Sequence, residues 1–151
     1  MQRKEHWERV YTTKGEQDVS WFEALPTISI QMLEAAGLTR ETCVLDVGGG
    51  DSRLVDHLAA RGMDCLAVLD VSGAALRRAQ SRLGDAAAVP VWIESDVTGD
   101  WSLKPMDIWH DRAVFHFLTE PPLLALHGVE RSTAAETAAG SQRPGGVRAG
   151  P

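Results

Sequence analysis

A chain of 151 residues with 44% apolar and 24% charged side chains has the size and make-up of one core-forming domain. Its net charge of −6 and lack of a dense Lys/Arg run argue against a nucleic-acid surface, and no apolar stretch reaches the ~18 residues of a membrane span. The polar, charged N-terminus has no secretory apolar segment, so neither nucleic acid nor membrane is expected as a partner and the cytoplasm is the expected compartment.

The first 25 residues mix aromatic and charged side chains, and Glu5 to Tyr11 predicts a short helix. Pro26 at a helix start and Gly37 after its end bracket a second helix carrying Ile28, Met32, Leu33 and Ala36. Thr42-Cys43-Val44-Leu45-Asp46-Val47 is an apolar run before glycines, the pattern of a buried strand. A helix follows from about Ser52 to Arg61, with Leu54, Val55, Leu58 and Ala59 on one face and Gly62 ending it. Cys65 to Asp70 predicts a second strand. Ser72 then caps a helix that carries Ala75, Leu76, Ala79 and Leu83 inward and stops at Gly84. Val89 to Ser95 predicts the third strand, and Met106 to Val114 contains the fourth, ending near His110 to Arg112. This alternation argues for an α/β fold, a Rossmann-like, doubly wound, mostly parallel sheet in three layers.

Cys43 and Cys65 lie in strand-like runs and are expected to be reduced, buried thiols packed as small hydrophobes. No Cys-x-x-Cys pair exists and the histidines lack zinc-site spacing, so no metal is expected. After Pro121-Pro122 the chain changes character. Residues 118–151 hold five glycines, no aromatic residue and no isoleucine, so 1–121 reads as the domain and 122–151 as a weakly structured tail.

Three aspartates mark the ends of successive strands. Asp46 opens Asp46-Val47-Gly48-Gly49-Gly50-Asp51-Ser52, and 24 residues separate it from Asp70, which is 26 residues from Asp96. A doubly wound sheet binds ligands at the carboxyl ends of its strands, so these acids belong on one rim around a turn that a ligand can approach closely. A helix start after the glycines would point free N–H groups at that turn. A dinucleotide wants Gly-x-Gly-x-x-Gly, but Arg53 stands where the third glycine should be, and Asp51 would lie inside a pyrophosphate cradle with Asp46 beneath it.

The segment Val44-Leu45-Asp46-Val47-Gly48-Gly49-Gly50-Asp51-Ser52 resembles the first motif of the class I S-adenosylmethionine-dependent methyltransferases. Asp111-Arg112-Ala113-Val114-Phe115-His116-Phe117-Leu118 resembles their fourth-strand segment. His6-Trp7-x-x-x-Tyr11 and Val19-Ser20-Trp21-Phe22 resemble a bacterial, small-molecule-type branch in which such segments cover the active site. The resemblance implies S-adenosylmethionine as cofactor and a small molecule, less readily a protein side chain, as methyl acceptor. It places Gly48, Gly49 and Gly50 at the methionine end, with Asp46 ordering the turn or holding the ammonium, and Asp70 with Val71 at the ribose hydroxyls. Asp96 with the Val97 backbone falls at the adenine amino group, and Asp111 beside the methionine portion. Trp7, Tyr11, Trp21 and Phe22 become an aromatic lid, since aromatic faces attract cations.

Other readings stand beside these. Asp96 could instead shape a turn, Asp111 could cap a helix, and His116 could be a packed structural histidine. Methyl transfer needs no dedicated base, and Asp111, His110 and His116 are the candidates for substrate contact or proton removal. Full members of the family have seven strands, and this chain lacks patterned sequence for the last three, as if cut short or altered after about residue 121. A catalytically incomplete nucleotide- or partner-binding remnant of the fold, or an NAD-dependent oxidoreductase, are the alternative functions.

Overall fold

The computed structural model describes residues 2–15, 23–111 and 114. The expected tail 122–151 lies outside them, as do Trp21, Phe22 and His116. The elements run α1 (Gln2–Thr13), α2 (Thr27–Ala35), β1 (Val44–Val47), α3 (Leu54–Ala60), β2 (Leu66–Asp70), α4 (Gly73–Leu83), β3 (Val91–Glu94) and β4 (Ile108–Asp111), with a short 3-10 turn at Gly84–Ala88 between α4 and β3.

Local chemistry sets the element ends. Ser72 is extended and its Oγ accepts the Ala75 N–H at 3.3 Å, so α4 begins where its cap satisfies an otherwise orphaned donor. Gly84 ends the same helix with φ +58°, a left-handed value that costs a glycine nothing. The helix after the first strand is shorter than the sequence suggests. Ser52 N–H bonds Gly49 O at 2.7 Å, a tight turn that delays α3 to Leu54. The glycine turn therefore does not feed straight into a helix N-terminus.

All three strand pairings are parallel, and the sheet order is β3-β2-β1-β4. The chain moves outward from β1 through β2 to β3, then returns to the far side of β1 as β4. Right-handed crossovers in one direction place α3 and α4 on the same face. That face is packed by Val44, Leu66, Val68 and Ile108 against Ile30 and Leu33 of α2, Leu54, Val55 and Leu58 of α3, and Leu76 of α4. The opposite face presents Leu45, Val47, Ala67 and Leu69, and here Val97, Trp101, Leu103 and Met106 from the irregular β3–β4 connection cover the sheet. Leu45, Leu54, Leu58 and Leu69 are wholly enclosed, each contributing about 1.5–3 kcal/mol of burial.

The cysteines depart from expectation. Cys43 and Cys65 form a disulfide, with Cα atoms 4.6 Å apart. The cause is register: Val44 pairs with Leu66, so the residues before them sit opposite one another across two adjacent strands. Two strand-like runs read separately carry no register, so they do not reveal the pairing.

Candidate functional site

The reversal in strand order falls between β1 and β4, and the crevice outside their carboxyl ends is where an open α/β sheet binds ligands. Side chains alternate along a strand, so Asp46, two residues after Val44, points to the helix-covered face. Asp46 pairs in register with His110 on one side and Val68 on the other, and Asp70 lies two residues beyond Val68. Asp46, Asp70 and His110 thus share one face at one end of the sheet, all buried.

The glycine turn is shaped around these acids. A Cβ on Gly49 would stand 2.6 Å from Asp46 Oδ2 and 2.8 Å from Val68 Cγ1, and one on Gly50 would stand 2.7 Å from Asp70 Oδ2. Gly48 and Gly50 also have φ of +68° and +40°, values a side chain would strain. Val114 lies against Gly48 at the outer edge of the turn. Both expected acids therefore meet the turn through their carboxylate oxygens, as the sequence suggests for Asp46 and Asp70.

Asp70 is the most perturbed acid among the described residues. Its Oδ1 accepts the Ser72 N–H at 2.8 Å. Burial, joined by the nearby negative charge of Asp46, pushes its carboxyl up to about 7 against that hydrogen bond. Asp46 is differently occupied: its Oδ1 accepts from His110 Nδ1 at 2.7 Å, while its Oδ2 is buried with no hydrogen-bond partner among the described residues.

Helix α1 closes the rim. Glu8 accepts from Ser72 Oγ at 2.7 Å and the Ala74 N–H at 3.2 Å, and pairs with Arg77 at 3.1 Å. The Ser72 hydroxyl, with Ala74 and Arg77, draws the Glu8 carboxyl below the usual carboxylate range. Lys4 meets Glu94 at the end of β3 at 2.6 Å. Tyr11 is buried against Ala74 and Ala75, with the Trp7 ring centroid 6.2 Å from its own. Trp7 and Tyr11 thus belong to a cover over the N-terminus of α4. Asp70 itself is buried, at 6% exposure.

Other expected site residues take local roles. Asp96 Oδ1 accepts from Thr98 N–H at 2.9 Å and Thr98 Oγ1 at 2.7 Å, the turn-shaping alternative. Val97 is buried in the far-face core, and its carbonyl accepts from Trp101 Nε1 at 3.1 Å. Val71 is half-buried beside Asp70. Asp111 Oδ1 accepts the Val114 N–H at 2.8 Å, the capping alternative.

Asp51 is buried with its charge matched: it pairs with Arg82 and, at 3.3 Å, with Arg78, and Arg82 also bonds Asp56 at 2.8 Å. Its negative charge is thereby offset, whereas the Asp46 carboxylate lies against Gly49 of the turn. Two contacts escaped sequence reasoning. The Asp46–His110 pair spans 64 residues and depends on the β1/β4 register, and Glu8 reaches Ser72 across another 64. Nothing in a single sequence carries either distance.

No family model matches the chain. It is similar to EEF1A lysine methyltransferase 2 from Danio rerio, with 27% identity over 130 residues, covering 79% of this chain and 55% of the relative. The chain thus spans about half the length of the curated relative it matches. The relative's name describes a methyltransferase; the mixed α/β, parallel-sheet scaffold is seen in the structure of this chain. The likeness does not extend to the bacterial, small-molecule branch, because the relative's name specifies a lysine acceptor.

Proposed function

We propose that this chain is an S-adenosylmethionine-dependent methyltransferase acting on an amine-bearing acceptor. The observation that carries the reading is the Asp70 carboxylate at the end of β2, lodged against Gly50 of the glycine turn. A ribose diol can donate both hydroxyls to one carboxylate, and Asp70 retains acceptor capacity beyond its bond to Ser72. The buried Asp46 Oδ2 at Gly49, without a hydrogen-bond partner among the described residues, suits a cationic ammonium, and the turn has no room for a side chain there. S-adenosylmethionine supplies, when bound, a methyl group already activated on a sulfonium. The chain's part is to orient it, exclude water, and hold the acceptor in line.

The lysine acceptor in the relative's name favours an amine over the other small-molecule acceptors that the sequence resemblance left open. The direct test is a thermal-shift panel of S-adenosylmethionine, S-adenosylhomocysteine, NAD and ATP, followed by calorimetry. S-adenosylhomocysteine is expected to stabilise the chain most. Asp70→Ala is expected to weaken its binding by at least ~1.5 kcal/mol, the scale of a hydrogen bond to a charged group. Preferential stabilisation by NAD, or an affinity that ignores Asp70→Ala, overturns the reading.

A further inference from the structure

We infer that His110 is the proton acceptor for the incoming amine, held by Asp46 as its positioning residue. The inference rests on the methyltransferase reading and specifies how that site prepares its acceptor.

The geometry is that of an oriented base. His110 is near the carboxyl end of β4 and Asp46 near that of β1, paired in register across the reversal in strand order where the ligand crevice opens. Nδ1 lies 2.7 Å from Asp46 Oδ1. A carboxylate only accepts, so Nδ1 carries the hydrogen, and the neutral ring's accepting lone pair is left on Nε2. Both residues are buried, so the ring is held by packing as well as by the bond. The other Asp46 oxygen is buried and partnerless among the described residues, so the carboxylate is not spent on structural bonds alone. Asp46 on β1 and Asp70 on β2 share His110's face of the sheet, acidic neighbours that suit a cationic visitor.

The chemistry needs such a group. An alkylamine near neutral pH is an ammonium, with pKa about 10.4 for a lysine side chain, and has no lone pair to attack with. His110 Nε2 takes one proton from R–NH3+, leaving R–NH2 and an imidazolium. The amine lone pair then forms the N–C bond as the S–C bond breaks, and that electron pair remains on sulfur as a neutral thioether. The product leaves as R–NH2+–CH3, and the imidazolium returns its proton to solvent.

Three measurements on the full chain test this. Nitrogen-15 NMR of the unaltered protein, with the His110 signal assigned by its loss in His110→Asn, is expected to show the Nδ1–H tautomer, and Asp46→Asn to disturb it. An Nε2–H tautomer overturns the proposal without any variant having to fold. Calorimetry is expected to show S-adenosylhomocysteine binding within about twofold of the unaltered chain in His110→Asn, whose amide can still donate to Asp46. Methyl transfer to poly-L-lysine at about pH 7 is expected to fall at least ~100-fold in His110→Asn, the scale of general-base catalysis, and to recover toward the unaltered rate at about pH 10, where free amine is abundant. An unchanged rate near neutrality, or a loss independent of pH, overturns the role of His110. If S-adenosylhomocysteine binds but poly-L-lysine is not methylated, the amine assignment fails while the cofactor reading stands. If S-adenosylhomocysteine does not bind at all, the parent reading fails first.

Discussion

Replacing Asp70 with asparagine separates what this side chain contributes to folding from what it contributes to a ligand. Burial and the neighbouring Asp46 raise its carboxyl from 3.8 to about 7. Between those values the folded chain holds a proton that the unfolded chain has released, so stability falls as pH rises through the window and is level on either side. Some three pH units at 1.36 kcal/mol each make the penalty about 4 kcal/mol above neutrality. In Asp70→Asn the new amide would keep the bond from the Ser72 N–H but must place an NH2 group against Gly50, at a cost of about 1–3 kcal/mol if it finds no acceptor. That cost does not vary with pH, so the test is the change in difference between the two proteins. Urea unfolding at about pH 5 and about pH 8 is expected to show Asp70→Asn gaining roughly 3 kcal/mol on the unaltered chain between the two conditions. A gap between the proteins that stays constant within about 0.5 kcal/mol refutes the claim that a buried, reluctantly ionised carboxyl sits at the end of β2. The same variant should bind S-adenosylhomocysteine poorly even where it is the more stable protein.

Gly49→Ala puts a methyl group within 2.6 Å of Asp46 Oδ2 and 2.8 Å of Val68 Cγ1, and is expected to cost about 1–3 kcal/mol in urea unfolding. Combined with Val68→Ala, the loss should be smaller than the two single losses together, because the second change frees the space the first invades. Glu8→Gln weakens the bonds that tie α1 to Ser72, Ala74 and Arg77, and should lower stability by about 1 kcal/mol near neutrality. The Glu8 carboxyl is held below its usual value, so its stabilisation is full above the unfolded pKa and fades as pH falls through the folded one. The variant's deficit in thermal unfolding should therefore shrink in acid; a deficit that grows there contradicts the capping role.

Periodicity and punctuation carry far along this chain because they are local. Short apolar runs before Gly48 and ending at Asp70 became β1 and β2, and Ser72 and Gly84 bound α4 as a cap and a stop should. The three adjacent glycines marked a turn that side chains could not occupy, and its neighbours in space are the two acids the sequence put beside it. Asp96 and Asp111 were legible only as acids at strand ends. Whether each serves a ligand or its own backbone was left open by the sequence, and the turn bonds to Thr98 and Val114 were decided by the local fold.

What only the tertiary structure decided depends on register and on contacts between distant elements. Residue types and spacing determined the strands, the helices and the order in which they alternate. They could not say that Cys43 falls opposite Cys65, that His110 falls opposite Asp46, or that Asp51 pairs with Arg82. A shift of one residue in either strand pairing would send the same side chains to the other face, and no single strand's sequence records its partner's offset. The cover by α1 belongs to the same class: Glu8 acquires its role only when folding brings the N-terminus of α4 within reach of its carboxylate.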